Sequence, residues 1–192
     1  MAQASREVWT RRYYIPARAA GGGKEAQHWA EVLLCSTGMF AAVSDFGDYA
    51  YAWRSFGRSD FREFVAGAVE DPDYFIRKLS RGERDVDVQA TRARIRGLLD
   101  DLRSEGRIGS AVRDEQVRRV DEVDFRSEAE VLSWWEHSGL DQHADFMNDV
   151  AERIERRPPA MVERFVRETM ATLAVVLREE LKQERRLAEA SA

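Results

Sequence analysis

One cysteine, three histidines, three lysines and four prolines stand among 192 residues. The lone thiol, Cys35, excludes an intramolecular disulfide and any cysteine-based zinc site. Set in the apolar run Val32, Leu33, Leu34, Cys35, it reads as a buried, inert thiol rather than a nucleophile. His28, His137 and His143 fall in no acid–base motif, and no Ser-His-Asp order or nucleophile elbow is present. No stretch approaches the roughly 20 apolar residues that a membrane span needs, and the N-terminus lacks the apolar core of a signal peptide. A soluble, intracellular protein without a membrane partner is the expectation. Lysine occurs only at 24, 78 and 182, against 27 arginines, a bias that fits a GC-rich genome better than any function.

Charge is present in quantity but unevenly placed. The net value is −5; residues 1–80 carry ten basic and ten acidic side chains, and residues 81–192 carry twenty and twenty-five. Binding to a polyanion needs a clustered basic patch, so the second part is a poor phosphate-binding surface. Its carboxylates, Glu122, Asp124 and Glu128 among them, suit a basic protein partner instead.

The first 54 residues alternate as strands do. Arg6–Ile15 carries Val8, Trp9, Tyr13, Tyr14 and Ile15 and stops at Pro16; Ala17–Lys24, with three glycines, is a loop. No Gly-Lys-Ser or Gly-Lys-Thr follows those glycines, so they form no phosphate cradle. Trp29–Ser36 and Met39–Asp45 are joined through Thr37-Gly38, and Gly47 beside Asp48 turns the chain into an aromatic strand. There Tyr49, Tyr51 and Trp53 share one face, because side chains two apart point the same way. Ala50, Ala52 and Arg54 share the other, where the alanines are small enough for something to pack closely.

Helical signals begin at Gly57. Ser59 or Asp60 can cap a helix whose Glu63 stands at capping-box spacing from Asp60 and whose Phe61, Phe64, Val65 and Ala68 form one apolar stripe. Asp71-Pro72 starts a second short helix with Phe75, Ile76 and Leu79 inward. From Val86 the period is 3.6: Ile95, Leu98, Leu99 and Leu102 mark a helix ending at Gly106, and Ser110–Val120 forms another. Ser127 with Glu130 opens a third that ends at Gly139. A helix from about Asp141 to Arg156 is expected to bury Phe146, Val150 and Ile154. Pro158-Pro159 breaks it before a last helix striped by Val162, Phe165, Val166, Met170, Leu173, Leu177 and Leu181, with a charged tail from Arg178 to Glu189 that should fray. The fold class is therefore α+β: an N-terminal antiparallel β-meander of three to four strands packed by helices, followed by a helical portion. The change of period divides the chain into 1–80 and 81–192, packed as one domain.

The order of features over residues 29–80 resembles a family of small proteins of tailed bacteriophages and prophages with no established activity. The motifs are two apolar strands, the Ser44-Asp45-Phe46-Gly47 turn, an aromatic strand ending in Trp53, the Gly57 turn, Asp60-Phe61-Arg62-Glu63-Phe64, and Asp73-Tyr74 through Lys78-Leu79. The resemblance implies a phage or prophage gene product acting in the bacterial cytoplasm, and it carries over no catalytic residue.

Three constellations could be sites. Tyr49, Tyr51 and Trp53, flanked by Arg54 and Arg58, would stack single-stranded bases if their face were open; aromatic rows on sheets are more often core. Glu136, His137, Asp141, His143 and Asp145 fall within ten residues, but a helix break at Gly139 scatters their directions and no metal-ligand spacing is recognised. Asp45, Asp48 and Asp60 could hold a metal for phosphodiester cleavage, yet turn formation and capping account for all three. No metal or cofactor is expected. The leading reading is a non-enzymatic accessory protein that binds a host or phage macromolecule, such as a host enzyme or defence component. The runner-up is single-stranded nucleic-acid binding or processing by the aromatic strand, and a nuclease comes third.

Overall fold

The computed structural model describes residues 8–16, 28–140, 142–144 and 150–191. The chain divides at two places rather than after residue 80. One compact unit comprises the residues up to Glu83 together with those from Pro158 onward, and a second comprises Arg84–Arg157.

The first unit holds a four-stranded antiparallel meander of β1 (Thr10–Ile15), β2 (Ala30–Cys35), β3 (Met39–Ser44) and β4 (Gly47–Ala52), in that spatial order. Register puts Arg12 beside Leu33, Leu33 beside Ala41 and Ala41 beside Ala50. The alternation that defines a strand is visible in burial: Ala30, Val32, Leu34, Phe40 and Ala42 are buried, while Leu33, Met39 and Val43 face outward. Cys35 follows the outward parity and is half-exposed, which corrects the expectation of a buried thiol. The hydroxyl of Thr37 donates to its sulfur at 3.2 Å, and that bond and the Thr37 backbone hold the thiol pKa below its ordinary value.

Helices cover the buried face. Asp60 caps α1 (Phe61–Ala66), its carboxylate accepting from the Arg62 N–H at 2.7 Å. Glu63 pairs with Arg185 rather than closing the expected box. Asp71 accepts from the Tyr74 N–H to cap α2 (Pro72–Leu79), with Pro72 in the first turn. The last helical stretch runs through α6 (Ala160–Arg164), a π-helical segment (Phe165–Met170) and α7 (Ala171–Ala190). Its Val162, Phe165, Val166, Met170, Leu173, Ala174 and Leu177 join the core of the sheet. The tail expected to fray is helical to Ala190.

The second unit has its own core. Two short strands, β5 (Asp85–Val86) and β6 (Arg156–Arg157), pair antiparallel and bring its ends together. Between them lie α3 (Val88–Ser104), α4 (Ser110–Glu122) and α5 (Glu128–Ser138). Ser127 and Glu130 form a complete capping box at the start of α5, and Gly139 at φ +71° ends it in the left-handed conformation. The helix expected over 141–156 is not formed as such: 142–144 turn, Ala151–Arg153 is a single 3-10 turn, and Arg156–Arg157 is strand. Val150 and Ile154 are buried as expected, whereas Asp141, Asp145 and Phe146 lie outside the described residues.

Candidate interface

The aromatic strand faces the core. Trp53 is 3% exposed and is ringed by Phe40, Phe61, Phe64 and Phe75 at centroid distances of 5.4 to 6.2 Å. Its indole Nε1 donates to the Tyr74 hydroxyl at 3.0 Å. Tyr49 and Tyr51 are half-buried against the same core; Tyr49 donates to the Phe46 carbonyl at 2.5 Å and lies 4.4 Å from the Phe165 ring. Arg54 and Arg58 are exposed. Trp53 thus has no free face on which a base could stack, because α1 and α2 already cover it.

Sequence reasoning missed the strongest polar node, Arg62. It is 4% exposed, and its guanidinium is held by Asp60 at 2.7 Å, Glu180 at 3.2 Å and Glu184 at 2.7 Å, above the Trp9 ring at 5.4 Å. Arg11 binds Glu184 and Glu180, and the Tyr13 hydroxyl donates to Glu180 at 2.8 Å, so this cluster ties β1 and α1 to α7. Bonds from Arg62 and then from Arg11 hold the Glu184 pKa down at about 2, while Glu184 and Asp60 raise that of Arg62. Burial pushes Asp60 upward, but its bonds from Arg62 outweigh that and leave it below its ordinary value. Every charge has a partner, as a buried arginine requires. The available signal was Glu180 and Glu184, one helical turn apart beside the apolar stripe.

The carboxylates singled out for partner binding all lie in the second unit. Residues 84–157 carry 13 basic and 18 acidic side chains, so the whole net charge of −5 resides there and the remainder of the chain is neutral. Glu122 ends α4 and pairs with Arg118 at 2.6 Å; Asp124 pairs with Arg126 at 2.6 Å, and Glu128 with Arg156 at 2.7 Å. All three are exposed, and each has an arginine at its side rather than standing bare. Glu122 also lines a cavity of about 410 Å³ together with Arg119, Val123, Glu130, Ser133, Trp134 and His137. The Trp134 Nε1 is buried without a hydrogen-bond partner among the described residues.

Of the other two constellations, Asp141 and Asp145 lie outside the described residues. His137 Nδ1 lies 2.7 Å from the Ser133 carbonyl, and His143 sits in the turn after Leu140. Asp45 accepts from the Trp29 N–H at 2.9 Å and Asp60 serves Arg62. Among the described residues no group of three or more His, Cys, Asp or Glu side chains is placed to hold a metal ion.

A family model described as a phage family matches residues 7–179. The chain belongs to this phage family. Neither the curated proteins nor the solved structures gave a match. In this phage protein no helix among the described residues is long and apolar enough to cross a membrane. Of the residues proposed for nucleic-acid contact, Arg58 lines a groove of about 610 Å³ along α1 and α7. Arg178, Lys182, Arg185 and Arg186 share it with Glu63, Glu70 and Glu189, so its five basic side chains exceed its three acidic ones.

Proposed function

We propose that this phage protein acts in the bacterial cytoplasm without catalysis, by binding a protein of host or phage through the acidic surface of residues 84–157. A host enzyme or defence component with a basic face is the kind of target that such a surface suits. The observation that supports the reading is the concentration of the entire net charge of −5 on that unit. Complementary potentials steer encounter and suppress wrong partners, acting mainly on the association rate. The arginines beside Glu122, Asp124 and Glu128 orient the carboxylates without cancelling the unit's excess.

The test is affinity capture from host lysate with and without nuclease, followed by association kinetics at rising salt. Reversing Glu122, Asp124 or Glu128 to lysine should slow association more than it speeds dissociation, while the fold survives. Unchanged association across all three reversals would sink the proposal. Recovery of a partner only when nucleic acid is intact would favour the nucleic-acid reading, for which Trp53 is buried while Arg54 and Arg58 are exposed and Tyr49 and Tyr51 half-buried.

A further inference from the structure

We infer that the outward face of the four-stranded sheet is a self-association surface, on which a second copy of this chain packs sheet against sheet. This goes beyond the partner reading, which concerns the other unit. An antiparallel sheet with one solvated face ordinarily alternates apolar-in and polar-out. Here the outward residues Leu33, Met39, Val43 and Tyr14 are 40%, 57%, 50% and 63% exposed. Ala50 and Ala52 are exposed beside them, with Ala41 half-exposed between. Contiguous apolar surface of this kind is a mark of association.

The pattern of side chains selects the occupant. Cross-strand register lays out two rows on this face, Arg12, Leu33, Ala41, Ala50 and Tyr14, Glu31, Val43, Asp48. Cationic Arg12 thus sits at the β1 margin and anionic Asp48 at the β4 margin, with Leu33, Ala41 and Val43 on the strands between them beside Glu31, which is paired to Arg12. The Asp48 carboxylate has no ion-pair or hydrogen-bond partner among the described residues, while Arg12 holds Glu31 at 2.6 Å. A two-fold axis along the strands lays the β1 margin of one copy over the β4 margin of the other. Arg12 and the Tyr14 hydroxyl then approach the second copy's Asp48 twice, and the larger β2 side chain Leu33 meets the small β3 and β4 alanines. Such isologous complementarity is what a closed dimer needs, and sheets pack about 10 Å apart at roughly −30°, which brings neighbouring rows into reach. Four strands about 4.8 Å apart and six residues long give a footprint of roughly 400 Å² per copy. That is the size of a weak, reversible pair.

The experiment is sedimentation of the full chain from about 1 μM to about 500 μM, a range that spans weak association. Reversible dimerisation is expected in the upper part of the range. Leu33→Glu and Val43→Asp, both at exposed positions, should weaken it at least tenfold with unchanged circular dichroism and thermal unfolding. The milder Val43→Thr should give a smaller shift in the same direction. Arg12→Ala and Asp48→Ala should each weaken the dimer, and the double variant should be little worse than either, because the two act on one contact. A monomer throughout the range overturns the inference, whether the face is bare, covered from within the chain or reserved for another protein. So does a dimer that Leu33→Glu and Val43→Asp leave intact.

Discussion

Trp53→Ala should cost the sheet unit about 3 to 5 kcal/mol. A buried indole removes roughly 200 Å² of mainly apolar surface from water, about 5 kcal/mol at about 25 cal/mol per Å². The alanine methyl and partial collapse of Phe61, Phe64 and Phe75 into the gap return part of that. Loss of the bond to Tyr74 adds little, since the half-buried phenol can turn to water. At about 4 °C per kcal/mol, the midpoint should fall by about 10 to 20 °C. Because the chain has two separate cores, a single unfolding curve is a poor reporter. Hydrogen exchange resolved by peptide is the better assay, and protection should fall through β1–β4 and α7 while residues 84–157 keep theirs. Trp53→Phe should recover more than half of the loss. A Trp53→Ala protein within about 1 kcal/mol of the parent would refute the claim that this indole is core.

Gly38→Ala should be at least as damaging for its size, about 3 kcal/mol, because φ is +91° and the new Cβ would lie 2.1 Å from the Trp53 carbonyl oxygen; thermal unfolding reads it. Glu184→Gln should flatten the acid limb of stability. The Glu184 carboxyl is held at about 2 against an ordinary 4.5, so its contribution is complete above about pH 4.5 and is lost as pH falls toward 2. Urea unfolding at several acid pH values should show a shallower slope in the variant, and an identical slope would count against the Arg62 node. Ser127→Ala should remove about 1 kcal/mol through the α5 capping box, seen as faster exchange at the Glu130 amide.

Much of this fold is legible in residue order because local and tertiary requirements agree. The β2 to β4 alternation, the glycine at 38, the caps at Asp60, Asp71 and Ser127 and the stop at Gly139 each have a short-range cause. What is not legible depends on partners far apart in sequence. The 3.6 period from Val162 to Leu177 looks the same whether the stripe meets other helices or a sheet, so the return of the last helix to β1–β4 leaves no local trace. Val150 and Ile154 are four apart, which mimics a helix, but Asp87 N–H bonds to the Glu155 carbonyl at 2.8 Å and Val86 pairs with Arg156, pulling the backbone extended. Cys35 shows the cost of reading an apolar run without its parity. At the site level, the shared face of Tyr49, Tyr51 and Trp53 follows from strand geometry, whereas Arg62 looks like any surface arginine until Glu184 arrives from the far end of the chain.

The same long reach governs the order in which the molecule can be made. Arg11 and Glu184 bond across 173 positions and Tyr13 and Glu180 across 167, with residues 84–157 synthesised between them. The meander therefore leaves the ribosome well before the helix that supplies Phe165, Leu173 and Leu177 to its core. For that interval the part of its inner face that α1 and α2 leave open is an uncovered hydrophobic surface, while the intervening unit already has every residue that it needs. At ordinary rates of about 5 to 20 residues per second the delay is several seconds, long against the folding of a small domain. Early termination ahead of Ala160 would leave a nascent product suited to chaperone capture rather than a smaller working protein.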